Sequence, residues 1–271
     1  MTNWLRTGAL ACAVLMVPGL RAADNELTAR ERAEGWRLLF DGKTYANWED
    51  PARQSPPGDS FTIENGCLKS IPHAKIEEDL FTKDTFTDFE LVFDWKISPG
   101  GNSGVKYRIQ DHAFLTSAGG PYKKFEDWAN ASFQNKRTDR PAKGQDYVVG
   151  FEYQVLDNAL NPDAKRGTNH QAGALYDMFP PLKDATLPVG EFNHSRLLVK
   201  GDHVEHWLNG VKVVDASLND PEVAKGTAAR WGAGSPVYEL LVKHPRKACP
   251  ISLQNHSSDA WFKNIKIREL K

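Results

Sequence analysis

The clearest pattern in the chain is a nine-residue alternation. Phe89, Leu91, Phe93, Trp95 and Ile97 share one parity, and Glu90, Asp94 and Lys96 share the other with Val92. A period of two over that length predicts a half-buried antiparallel strand. Shorter runs follow the same rule. Phe61–Glu64 and Cys67–Ser70 flank Asn65-Gly66, and Asn209-Gly210 leads from His203–Leu208 into residues 211–215. Asn-Gly marks a two-residue hairpin, because both central residues need positive φ. Further strands are predicted at residues 105–110, 150–156, 172–176, 196–200, 251–255 and 261–269. A series of strands without helices between them predicts an all-β sandwich or jelly roll rather than a parallel α/β sheet. Residues 112–145 and 221–250 are longer, polar and partly helix-compatible, and read as two insertions at the sheet rims. No repeat or low-complexity linker divides residues 24–271, which read as a single domain.

Residues 1–23 have a different character. Arg6 precedes an apolar run over residues 8–17, Pro18 and Gly19 break it, and Ala22 and Ala23 follow. The run is short for a bilayer, and its flanks are those of a cleaved secretory signal. The expectation is an exported protein, periplasmic or extracellular, with no membrane span. Lys and Arg number 34 against 35 Asp and Glu, a formal charge of -1. That balance gives no electrostatic reason to expect nucleic acid or an anionic membrane as partner. Cys67 and Cys249 outlast the signal and can pair or stay free in an oxidising compartment.

Candidate chemistry gathers at four places. On a regular strand Glu152 and Gln154 share a face, and one bulge after Gln154 would bring Asp157 onto it. Such a strip can shuttle protons around a sugar; a polar strand facing water is the alternative. Its spacing resembles the Glu-x-Asp-x-x-Glu strip of laminarinase-type glycosidases, with Gln154 and Asp157 replacing two of the carboxylates. The second place is Asn102-Ser103-Gly104 with Arg108, whose fixed donors suit oxygen-rich ligands. The Gly-Lys-Ser/Thr ending of a nucleotide loop is missing. The third is His203-Val-Glu-His206-Trp207. His203 and His206 fall on opposite faces of a strand, which argues against a shared zinc; Trp207 is a sugar platform or a core residue. The fourth is Gln254-Asn-His256, where His256 is an acid–base candidate or a solvent-facing hairpin residue. His170, Tyr176 and Asp177 form a further group.

Six motifs in order resemble one family: Leu39-Phe-Asp-Gly-Lys43 with Trp48; Gly101-Asn-Ser-Gly104 with Arg108; Glu152-Tyr-Gln-Val-Leu-Asp-Asn158; Ala172-Gly-Ala-Leu-Tyr-Asp177; Val204-Glu-His-Trp-Leu-Asn-Gly-Val211; and Ile251-Ser-Leu-Gln254 through residues 261–267. The chain resembles the 3-keto-disaccharide hydrolase domain family over residues 36–270. The resemblance implies a concanavalin-like jelly roll in exported bacterial proteins, acting on glycosides already oxidised to a ketone at sugar carbon 3. A 3-ketone acidifies the carbon 2 hydrogen, so elimination followed by hydration gives net hydrolysis. An upstream sugar oxidoreductase is the implied partner. This chemistry needs a base, an acid for the leaving oxygen, and donors or a divalent cation for the enolate. We expect Glu152 or His206 as base and Asp157 orienting it or holding a cation. Arg108 and Gln154 are expected to bind sugar oxygens or the enolate, with Trp207 as ring platform. Asn102, Gln254, His256 and Tyr176 are expected as further contacts. A non-catalytic carbohydrate-binding module and an ordinary glycosidase using Glu152 and Asp157 are the competing readings.

Overall fold

The computed structural model describes residues 23–50, 60–74, 76–115, 132–134 and 144–271. The signal-like segment except Ala23, and most of the first insertion, lie outside these residues.

Fifteen strands are present among the described residues. In chain order they are β1 (Arg37–Leu38), β2 (Trp48–Glu49), β3 (Phe61–Glu64), β4 (Cys67–Ser70), β5 (Ile76–Glu77), β6 (Leu80–Thr82), β7 (Phe89–Ile97) and β8 (Asn102–Leu115). There follow β9 (Ser132–Gln134), β10 (Gly144–Leu156), β11 (Asn193–Lys200), β12 (His203–Leu208), β13 (Val211–Ser217), β14 (Ser252–Leu253) and β15 (Ala260–Glu269). They form two sheets. One runs β13-β12-β11-β7-β15-β4-β3, with β1 beside β15; the other runs β2-β6-β14-β8-β10-β5, with β9 beside β8. All pairings are antiparallel except β5 with β10. This is the all-β sandwich that the alternation predicted. The core between the sheets contains Phe89, Leu91, Phe93, Trp95 and Ile97 from β7, facing Val105, Tyr107, Phe151, Tyr153 and Val155 from β8 and β10. The other parity of β7 is not simply wet. Glu90 is buried because Arg196 and Arg268 both grip it.

Both Asn-Gly pairs make the expected hairpin turns. Asn65 and Gly66 have φ of 50° and 73°, and Asn209 and Gly210 have 49° and 80°. The segment at residues 172–176 differs from its predicted strand. It lies along β10 through Gly173 N to Gln154 O, Gln154 N to Ala174 O and Tyr176 N to Glu152 O, but Gly173 at φ 83° bends it and its pairing with β10 is the isolated bridge of Leu175 with Tyr153.

The second insertion is helical. Helix α1 (Ala29–Ala33) precedes the sandwich. Helix α2 (Pro221–Trp231) starts where Asp220 caps Glu222 N and Pro221 occupies the first turn, a favourable helix start. Helix α3 (Pro236–Tyr238) runs into a π-turn over Glu239–Lys243. Trp231 meets the Tyr147 ring edge-on at 5.3 Å, and Val237 and Leu241 join the core. Cys67 and Cys249 are both buried and free. No helix among the described residues is long and apolar enough to cross a membrane.

Candidate active site

The pairing of β8 with β10 builds the site. Lys106 sits opposite Glu152, Gly104 opposite Gln154, and Asn102 opposite Leu156. Tyr107, Phe151 and Tyr153 point into the core, so the intervening residues point to the sheet's outer face. There Asn102, Lys106, Glu152 and Gln154 line a pocket, closed in by Asp79, Tyr147, Tyr176, Arg230, Gln254, Asn255 and His256. Gly104 leaves room for the acid. A Cβ at that position would lie 2.8 Å from Glu152 Cδ and closer still to Oε1.

The electrostatics centre on Glu152, which is half-buried. Burial pushes its carboxyl up to about 7, although Lys106 and Arg230 pull the other way. Lys106 is itself buried and lies 3.4 Å from Asp79 Oδ2, which also accepts from Ser252 Oγ at 2.9 Å. Burial works against the Lys106 charge, but Asp79 and Glu152 hold its value above the ordinary one. Gln154, with its amide nitrogen facing acceptors, donates to Glu152 Oε1 at 2.9 Å and Ser103 O at 3.1 Å. Burial also pushes the Tyr176 hydroxyl well up, and that hydroxyl donates to Asp163 Oδ2 at 2.8 Å. Gln254 Oε1 is a buried acceptor at this pocket with no hydrogen-bond donor among the described residues. A carboxyl near neutrality beside two cations can remove a proton and tolerate the negative charge that develops.

The structure thus brings together Glu152, Gln154, Asn102, Tyr176, Gln254 and His256. Four other expected residues lie elsewhere. Asp157 stays off the strip because β10 is regular beyond Gln154. Its carboxylate caps the strand end instead, accepting from Gly100 N at 2.7 Å, Ala159 N at 3.0 Å and Leu160 N at 3.2 Å. The irregularity falls earlier, where Gly150 on β10 faces residues 108–110 of β8. Arg108 takes φ 51° there and turns away from the pocket. Its guanidinium donates to Lys247 O and, at 2.7 Å, to Gly201 O, tying two loops together. His206 is fully buried between the sheets. Its Nε2 meets Tyr107 Oη at 3.0 Å and its Nδ1 meets Gly173 O at 3.0 Å, while burial pulls its value down to about 4. It is a core histidine and cannot reach substrate as a base. Trp207 lies on the outer face of the opposite sheet, stacked by Arg196 at 5.1 Å and donating to Glu205 Oε2 at 2.8 Å. No ring platform for this pocket comes from it.

From the sequence no role is assigned to Lys106, Asp79, Tyr147, Arg230 or Asn255. For Lys106 the signal was present, since it alternates with the core residues of β8. For Arg230 the segment reads only as partly helix-compatible, and where it docks is not legible. The ligand atoms of His203, Glu205 and Asp215 lie within 4.8 Å of one another on the far sheet. Lys212 already pairs with both acids there.

A two-sheet sandwich whose outer face presents a perturbed carboxyl among hydrogen-bonding side chains is suited to acid–base work on a polyhydroxylated ligand. Comparison with known proteins gives the family. Residues 35–268 match the 3-keto-alpha-glucoside-1,2-lyase-like domain, and the chain belongs to that family. A 3-keto-disaccharide hydrolase of Bacteroides thetaiotaomicron is 30% identical over 280 residues, covering 95% of this chain and 87% of that protein. A solved structure from Parabacteroides distasonis, named as a candidate glycosyl hydrolase, matches with TM-score 0.68 at 26% identity, over 92% of this chain and 100% of that one. A second from the same organism matches with TM-score 0.54 at 26% identity, over 87% and 99%.

Proposed function

We propose that this protein cleaves the glycosidic bond of sugars carrying a ketone at carbon 3, with Glu152 as base. The Glu152 carboxylate takes the proton from carbon 2, and the electron pair moves onto the ketone as an enolate. The enolate then reforms the ketone and expels the glycosidic oxygen from carbon 1, leaving a double bond between carbons 1 and 2. The departing oxygen takes up a proton. Water adds at carbon 1 and a proton returns to carbon 2, so the sum is hydrolysis. Lys106 and Arg230 supply positive charge beside the developing enolate. Gln154 holds Glu152 in place, and Asn102, Tyr176, Gln254 and His256 contact sugar oxygens. An oxidation at carbon 3 must supply the substrate, and export carries the enzyme to it.

The observation that carries this reading is the half-buried Glu152 carboxyl, pushed up to about 7 between Lys106 and Arg230. A base of that kind is half-ionised near neutral pH and strong enough to act there. The test is incubation with a 3-keto glucoside and its unoxidised parent in deuterated water. Cleavage of the keto form alone, with label at carbon 2, is the expected result. Cleavage of the parent would indicate an ordinary glycosidase, and binding without cleavage a carbohydrate-binding module. Glu152→Gln is expected to abolish turnover with the fold intact; unchanged turnover would overturn the assignment.

A further inference from the structure

His170 does not line the pocket, yet it touches the partners of two residues that do. It ends a 3-10 turn over Thr168–His170 and is 4% exposed. Its Nδ1 makes no hydrogen bond among the described residues and lies 3.4 Å from Asp163 Oδ1. Its Nε2 lies 3.3 Å from Asp177 Oδ1. The remaining oxygens of those two acids meet Tyr176 and Arg230, which line the pocket. Asp163 Oδ2 accepts from the Tyr176 hydroxyl at 2.8 Å, and Asp177 Oδ2 lies 3.3 Å from Arg230 Nη1. The His170 ring also stands edge-on against Tyr176 at 4.9 Å.

This arrangement is more specific than loop packing requires. Asp163 sits in a 3-10 turn, Asp177 follows the segment beside β10, and Arg230 comes from the second insertion. The local sequence fixes none of these relative to the others. Asp177 has φ 64°, and its N–H donates to Asn169 O at 2.9 Å, which sets its carboxylate against the imidazole. Arg166 takes a share of Asp163 from the solvent side at 2.7 Å and also feels the Asp177 charge. Arg230 keeps 32% of its side chain exposed, and Asp177 holds it together with the Tyr176 and Trp231 rings at 5.0 and 4.6 Å.

We propose that His170 is a positioning residue that joins Tyr176, through Asp163, and Arg230, through Asp177, into one unit around the bound sugar. It rests on the reading of the Glu152 pocket as the reaction centre. Two conservative variants separate its arms. An asparagine amide reaches only the position of Nδ1, and a glutamine amide only that of Nε2. His170→Gln therefore keeps the Asp177 arm, and His170→Asn keeps the Asp163 arm.

The experiment measures kcat and KM on a 3-keto glucoside for each variant, alone and combined with Tyr176→Phe or Arg230→Gln. His170→Gln is expected to lower kcat about tenfold with little change in KM, and adding Tyr176→Phe should cost nothing further. His170→Asn should behave the same way toward Arg230→Gln. Double variants that lose the full product of their singles would overturn the proposal and leave His170 as a packing residue. If the His170 variants do not fold, the cycle of Asp163→Asn with Arg230→Gln asks the same question from the outer links: coupling supports the unit, additivity overturns it. A readout free of turnover is the Tyr176 Cζ resonance, expected to shift in His170→Gln and not in His170→Asn. Normal turnover in Glu152→Gln would sink the catalytic reading while this resonance still decides the role of His170.

Discussion

At the residue scale, two desolvated titratable groups have opposite consequences. For Glu152 the folded value lies near 7, above the ordinary 4.5. A base must be deprotonated to act, so kcat/KM should rise with pH through a single-proton limb near 7. Removing the Lys106 charge raises the acid further, so Lys106→Met should move that limb to higher pH; a pH profile with an unmoved limb would count against the coupling. The raised value also costs stability. As pH climbs from 4.5 to 7 the unfolded chain ionises first, so the folded state loses ground. Glu152→Gln should therefore melt higher than the wild type above pH 7, while being inactive. His206 runs the other way. Its folded value of about 4 lies below the ordinary 6.5. Its neutral form stabilises the fold above 6.5, and that contribution is lost as pH falls towards 4, on the order of 3 kcal/mol when complete. Urea titrations at pH 7.5 and pH 5 should show a smaller difference in His206→Gln than in wild type.

At the scale of elements, the pair β8–β10 decides which residues meet. Gly104 lies across from Gln154 and under Glu152, and its missing side chain is filled by that carboxylate. Gly104→Ala should displace the acid with only a modest effect on folding. Because a shift of about 1 Å at a reacting group costs on the order of a hundredfold in rate, kcat/KM should fall far more than the melting temperature. Equal losses in both would mean the glycine serves the strand rather than the acid. The same pair explains two misplaced expectations. A strip of Glu152, Gln154 and Asp157 requires an irregularity after Gln154, but Gly150 supplies it on the other side of Glu152. An ideal Cβ on Gly150 would lie 3.1 Å from Tyr107 O and from Ile109 Cγ1. Close strand approach favours glycine there, and Arg108 rather than Asp157 is redirected.

At the scale of the molecule, the sandwich supplies a rigid floor and the second insertion supplies part of the wall. Trp231 anchors α2 on Tyr147, and Arg230 lies beside it over the Tyr176 ring at 5.0 Å. Trp231→Ala should loosen that wall, raising KM several-fold while the core sheets keep most of their stability; steady-state kinetics with a thermal melt checks both. Much of this architecture was legible in the chain. β7 has the bounds its alternation predicted, and both Asn-Gly hairpins turn where expected, because such signals depend on neighbours in sequence. Part of the site was legible for the same reason: Glu152 and Gln154 share a face by parity alone.

The local pattern of the sequence determined the strands, their hairpins, and the outward parity of Lys106, Glu152 and Gln154, since steric limits on φ and alternation along a strand act over a few residues. Only the tertiary structure decided that His206 is sealed in the core, that Arg108 and Asp157 brace loops, and that Asp79 and Arg230 join Glu152. Those outcomes depend on where the sheets stack, where one irregularity falls, and where an insertion docks. Each is set by contacts between residues tens to hundreds of positions apart, which no short stretch of sequence encodes.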